Sequence, residues 1–478
     1  MSTPGTARVF FEEIPEFPRA AAVYGVRELA RRAGVSAEMQ HAWRAEIDSR
    51  GFVNIYVEPG TDKHIRISRA TPEFWQGVRA GRFRTSRAGW MQPPCSRFAS
   101  VIDFRVPFSS LDREHVGKLF SMVSEDCVEC PVDLLASTVL TLGRYEETLP
   151  ASRDRHGRFP AAGSVASRDG FLQRPVVDQF GLAFEQALSH LLPRWKPAER
   201  RLRVKISHDV DEIGLPFTLR GVAGHALRRG RPLWAARDLV ARPLGIQTAY
   251  QVLLREIVAW SIDRGIKPSV YWKASASSLN DTGYDLRQRS IRRMIGNFRA
   301  QGVEMGIHPG YETFESRETL SAEVSTLQEL LGERKLGGRQ DYLRWSPQTW
   351  LEWESLDLAY DSSVGFTDGL GFRAGTCFPF RPWLFSEGRE ANILEIPLIA
   401  MDDSVEMQEK LHPGSADSNT REIVARCREV GGVFTLLWHN TRIIERNARY
   451  IYQTLLDDLE GSESYDWRSD PYGNADAS

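Results

Sequence analysis

The chain has 478 residues, 42% of them hydrophobic and 26% charged, which is long enough for two packed domains and too evenly mixed for a fibrous or disordered protein. Its 61 basic and 63 acidic residues leave a net charge of −2, so charge makes no global case for nucleic acid or membrane binding. The five cysteines (Cys95, Cys127, Cys130, Cys377 and Cys427) are few and odd in number, which argues against a disulfide framework.

Met1 to Phe17 carries acids and prolines where a secretory leader needs a basic start and an apolar run. No apolar run approaches the roughly 18–20 residues of a membrane span. A cytoplasmic location is therefore expected.

Residues 1–200 read as a mixed α/β domain without catalytic clustering. Gly51 to Val57 alternates as a strand. Cys127-Val128-Glu129-Cys130 has no second pair and no nearby histidine, so it reads as a strand–helix junction rather than a zinc knuckle. Pro131 opens an apolar helix that runs to Leu142, the Arg-, Gly- and Ser-rich stretch 151–175 reads as a loop, and a helix spans Phe180 to Leu191. A charged connection, Lys196 to Arg201, marks the domain boundary.

From Leu202 to about residue 460, strands alternate with helices, the pattern of a parallel sheet or barrel. Candidate strands are 202–207, 268–272, 303–308, 341–345, 359–364, 393–398 and 433–439. Leu320, Val324, Leu327 and Leu331 keep helical spacing, and Gly332 stands where a terminating glycine belongs. Ser346-Pro347 supplies a cap and first-turn proline for another helix. Segment 217–242, within a basic helical insertion at 215–245, has six arginines against the single acid Asp238. It reads as a solvated helical hairpin or as a contact for an anionic carrier or membrane surface. Residues 461–478 read as a polar tail.

Leu202, Val204 and Ile206 alternate with Arg203 and Lys205, and the run ends in Ser207-His208-Asp209-Val210-Asp211. Two carboxylates two residues apart point the same way from a strand and repel unless a cation or shared proton holds them. His308 and His439 stand at the ends of two further candidate strands. In a βα barrel, chemistry collects at the carboxyl ends of the strands.

These strings resemble the polysaccharide deacetylases, carbohydrate esterase family 4, over about 202–445. Gly143-Arg-Tyr-Glu-Glu, His156-Gly-Arg-Phe-Pro-Ala and Arg174-Pro-Val-Val-Asp extend the likeness to a branch with an extra N-terminal domain. The resemblance implies a distorted (β/α) barrel of polysaccharide deacetylase type, preceded by a mixed α/β N-terminal domain. It implies Asp209 as catalytic base, Asp211 and His308 as ligands of a divalent metal (zinc by preference), Arg344 as the partner of the base, and His439 as general acid with Asp361 behind it.

The family's second histidine is absent, and Glu312 occupies its place. Asp341 is the other acidic candidate. Pro309 and Gly310 break a helix that would set Glu312 beside His308, which favours Asp341 without removing Glu312. Arg373, Trp345 and Trp438 are candidate substrate contacts, the tryptophans by stacking on a sugar face.

The implied reaction is hydrolysis of the N-acetyl group of an amino sugar, in a polysaccharide or an activated precursor, with no nucleic-acid partner. Two alternatives stand beside it: an inactive sugar-binding homologue, and an amidase on a non-carbohydrate acyl amide.

Overall fold

A computed structural model describes residues 8–10, 18–48, 51–213, 247–274, 284–411 and 416–470. The basic segment 217–242 lies outside the described residues. The N-terminal half builds two sheets. One contains β1 (Arg8–Phe10), β2 (Arg44–Ile47), β3 (Phe52–Tyr56), β4 (His64–Ser68), β8 (Ser121–Ser124) and β9 (Cys127–Cys130), in the order β1-β2-β3-β4-β9-β8. The other sets β5 (Thr85–Gly89) between β6 (Phe104–Pro107) and β7 (His115–Lys118).

The Cys127–Cys130 pair is thus a strand, and none of the five cysteines is in a disulfide. The helix expected from Pro131 begins at Leu134 instead, because the Asp133 side chain caps it by accepting from the Ala136 amide. Within the expected loop 151–175, the short helices Ala161–Gly163 and Val165–Arg168 interrupt the chain.

The second half centres on parallel strands β10 (Arg203–Val210), β11 (Ser269–Trp272), β12 (Glu304–Ile307), β13 (Tyr360–Asp361), β16 (Leu394–Glu395), β17 (Ala400–Met401) and β18 (Val433–Leu437). A short hairpin, β14 (Trp383–Leu384) with β15 (Arg389–Glu390), precedes β16. The parallel pairing runs β12-β11-β10-β18-β17, and β13 pairs β16. Gly338 bridges Ile307 of β12 to Asp361 of β13. Residues 394–401 pair with β13 at one end and β18 at the other, so the series of neighbours returns to β10.

Helices Ala249–Asp263, Arg289–Ala300, Arg317–Leu331, Pro347–Ser355 and Ala416–Val430 fill the connections. The Arg317–Leu331 helix ends on Gly332 at φ +62, and Ser346 with Thr349 forms a capping box ahead of Pro347.

Two expectations shift. The strand placed at 341–345 is instead one bridging residue, Gly338, after which the chain turns. Glycine is required there, since a Cβ on Gly338 would overlap the Ile307 carbonyl and one on Gly337 the Tyr360 ring. The tail is in part structured: β19 (Glu463–Ser464) pairs with β10, and Tyr465 and Trp467 are buried.

One apolar core runs through both halves. A buried ion pair, Arg373 with Glu147 (2.5 Å), joins them, and others lie within the N-terminal half: Arg32 with Asp178 (2.8 Å), and Arg144 with Glu146 and Glu147 (both 2.8 Å). Removing one partner of such a pair strands a buried charge, at a cost of about 3–5 kcal/mol.

Candidate active site

The carboxyl ends of β10, β11, β12 and β18 open into a cleft of 1040 Å³, lined by Asp209, Asp211, Lys273, His308, Asp341 and His439 among others. Asp209 is the penultimate residue of β10 and is 2% exposed; Asp211 follows the strand and is partly open. His308 follows β12, and its Nδ1 lies 2.8 Å from the Arg339 carbonyl. With Nδ1–H donated there, Nε2 turns to the carboxylates, 3.3 Å from Asp211 and 3.1 Å from Asp341.

The donor atoms of Asp211, His308 and Asp341 all lie within 4.8 Å of one another, the one such group of three among the described residues. Tetrahedral bonds of about 2.1 Å to zinc would set neighbouring donors roughly 3.4 Å apart, so the spacing and the mixed imidazole–carboxylate chemistry fit a divalent ion. Glu312, the rival ligand, is exposed on the turn Tyr311–Phe314 and is not part of this group. The proline–glycine step after His308 carries the chain away before Glu312.

Sequence reasoning missed Lys273, which follows β11. It is buried, and its Nζ lies 3.4 Å from Asp211 and 3.1 Å from Asp341. Burial raises the pKa of both carboxyls, but His308 and Lys273 outweigh it and hold them below the usual range. Burial likewise disfavours charge on His308, yet Asp209, Asp211 and Asp341 push it up to about 10. A bound cation would take the place of that proton.

The arginine beside Asp209 is Arg339, not Arg344. Its Nη1 donates to Asp209 Oδ1 and to Ser207 Oγ, both at 2.9 Å, and its Nε donates to the Ser362 carbonyl at 2.9 Å. Arg344 points away: it pairs with Glu315, lies over the Tyr311 and Phe314 rings, and donates to the carbonyls of His156 (3.0 Å) and Tyr311 (2.8 Å). The cause is local backbone. Tyr342 (φ +55) and Leu343 (φ +52) both sit in the left-handed region, at roughly 1–2 kcal/mol each, and they turn the chain between Asp341 and Arg344. The signal available in sequence was Gly337-Gly338 just ahead of Arg339.

The partner of His439 is Asp402, not Asp361. Asp402 follows β17, beside β18, and its carboxylate accepts from the His439 amide (2.7 Å) and lies 2.9 Å from Nδ1. Nε2 then faces the cleft, 3.5 Å from Asp211. Burial disfavours the imidazolium, but Asp402 and Asp211 outweigh it and raise the pKa to about 10.

Asp361 lies fully buried and accepts from the amide (2.9 Å) and hydroxyl (2.5 Å) of Ser363, so it is out of reach of His439. Burial lifts its pKa to about 6, and the neighbouring buried Glu395 is raised well above its ordinary value. His208, between the strand's polar residues, is buried with Nδ1 2.8 Å from the Trp438 carbonyl.

The three substrate-contact candidates all prove internal. Arg373 is bound to Glu147 and the Gly365 carbonyl. Trp345 packs edge-on against Trp350 at 4.6 Å, and Trp438 packs on Tyr452 at 5.1 Å. Both tryptophans follow or end buried segments whose apolar neighbours claim the rings. Exposed instead is Tyr342, 39% open, on the cleft wall with Arg155, His156 and Arg158 of the N-terminal half.

A family of unknown function, DUF7033, matches residues 31–193. No curated protein matches the chain. Among solved structures, a candidate polysaccharide deacetylase from Mycobacterium smegmatis is 13% identical, with TM-score 0.37, covering 56% of this chain and 86% of its own. A candidate polysaccharide deacetylase involved in O-antigen biosynthesis, from Bordetella bronchiseptica, is 13% identical with TM-score 0.31, covering 57% and 89%.

Proposed function

We propose that this chain is a metal-dependent deacetylase that hydrolyses the N-acetyl group of an amino sugar, on a distorted (β/α) barrel that begins near residue 201 after a mixed α/β N-terminal domain. The observation that carries this reading is one cleft holding Asp211, His308 and Asp341 between Asp209 paired to Arg339 and His439 paired to Asp402. The three donors would hold the ion, zinc by preference. When bound, it supplies a Lewis acid for the amide carbonyl and lowers the pKa of water.

The chain's own residues do the rest. Asp209, oriented by its hydrogen bond from Arg339, removes a proton from the attacking water. His439, kept protonated by Asp402, delivers a proton to the leaving nitrogen as the C–N bond breaks. Water's oxygen ends on acetate, and the sugar leaves as the free amine. Acetate release from a panel of free, oligomeric and nucleotide-linked N-acetylhexosamines, with linear acyl amides alongside and with and without chelator, tests the reading. Chelator-sensitive release from a sugar supports it, and release from linear amides alone would replace the sugar with another acyl amide.

A second reading, a sugar-binding homologue without metal, is favoured by one observation. The Lys273 ammonium already lies within 3.4 Å of both carboxylates that a metal would need. The zinc content of the purified chain separates the two.

A further inference from the structure

We propose that the N-terminal segment 154–158 is a positioning element of the metal site, holding the turn that carries Asp341 through Arg158 and His156. The proposal rests on the reading of Asp341 as a metal ligand. Asp341 is followed at once by Tyr342 and Leu343, two non-glycine residues in the left-handed region. Such backbone persists only where its surroundings hold it.

Those surroundings come from far upstream in the chain. Arg158 Nη1 donates to the Tyr342 carbonyl at 3.1 Å. The His156 ring lies 4.8 Å from the Tyr342 ring, its Nδ1 is 3.1 Å from the Tyr311 hydroxyl, and its carbonyl accepts from Arg344 Nε at 3.0 Å. The turn is thereby fixed at the carbonyl and ring of Tyr342 and again at Arg344, on the far side of the strained pair.

The segment is itself organised before it meets the turn. The Asp154 carboxylate accepts from the amides of His156 (2.8 Å) and Arg158 (2.9 Å) and from Arg158 Nε (2.7 Å), and Gly157 closes the loop at φ +77. Relaxing Tyr342 and Leu343 to ordinary backbone would swing the Asp341 carboxylate from its place 3.1 Å from His308 Nε2. A misplaced ligand costs metal affinity even when every ligand is still present. On this account the metal site is completed by the N-terminal half of the chain.

The test is zinc affinity by competition titration on the full chain, for wild type, Arg158→Met, His156→Ala, Asp341→Asn and Arg158→Met with Asp341→Asn. Arg158→Met and His156→Ala are each expected to weaken zinc binding at least tenfold, the low end of about 10–100-fold for residues that orient ligands. The melting temperature of the metal-free protein should move little. In the Asp341→Asn background, Arg158→Met should add almost nothing, because the two act through one carboxylate. Wild-type affinity in both single variants, or losses that multiply with Asp341→Asn, would overturn the proposal. A wild-type chain that takes up no zinc would overturn the metal reading itself, a result distinct from either of those.

Discussion

Arg339 and Asp209 form a buried ion pair, Nη1 to Oδ1 at 2.9 Å, with side chains 0% and 2% exposed. The arginine reaches Asp209 from the chain segment after Gly338 and is fixed by Ser207 and the Ser362 carbonyl. Its fork leaves the second carboxylate oxygen free to face His308, 3.8 Å from Nδ1. Arg339→Met should therefore leave Asp211, His308 and Asp341 intact and still lower kcat about a hundredfold or more, the size of a general-base contribution. Kinetics and zinc content on the same preparation check this; loss of zinc in step with activity would assign Arg339 to metal binding instead.

Asp402→Asn tests the other side of the cleft. Asp402 keeps His439 charged, with a pKa near 10, through the neutral range. Without that carboxylate the imidazolium loses its proton at lower pH, so the alkaline limb of kcat should move down and kcat at neutral pH should fall about 10²–10⁴-fold. An unchanged pH profile would separate Asp402 from the proton delivered to the leaving nitrogen.

Asp361 gives a stability signature rather than a catalytic one. Its folded pKa of about 6 stands above the ordinary value because burial disfavours the carboxylate. The fold thus prefers the protonated acid. That contribution is fully present below about pH 4, the ordinary aspartate value, and is lost as pH rises through about 6. Denaturant midpoints for wild type should fall across this window, and Asp361→Asn should flatten the fall. Equal slopes in the two proteins would contradict the buried-acid account.

Trp345 and Trp438 should behave as core residues. Each truncation to alanine is expected to cost about 3–5 kcal/mol of stability, typical of a large buried aromatic. Folded Trp345→Phe should keep a wild-type KM. A raised KM with unchanged melting temperature would return that ring to the substrate site.

The parts of the site that share one strand end were legible from sequence. Alternation along Leu202–Ile206 located β10 and set Asp209 and Asp211 in one cleft, and the same logic at the ends of β12 and β18 brought His308 and His439 to it. The partners of these residues were not legible, because they depend on how neighbouring segments cross. Arg339 meets Asp209 only through the glycine-lined bridge at 338, and Asp402 meets His439 only because residues 394–401 change neighbour from β13 to β18. The two-residue β17 carries too little pattern to announce itself. The Trp345 and Trp438 rings read equally well as stacking faces or as core, since composition does not say which side of a strand end is filled.

Equilibrium zinc binding to wild type, Asp341→Asn and Glu312→Gln tests the central claim most directly, that Asp211, His308 and Asp341 form a metal site. One zinc per wild-type chain is expected, with full retention in Glu312→Gln and a loss of at least about tenfold in affinity in Asp341→Asn. No zinc in the wild type, or Asp341→Asn binding as tightly as wild type, would contradict it.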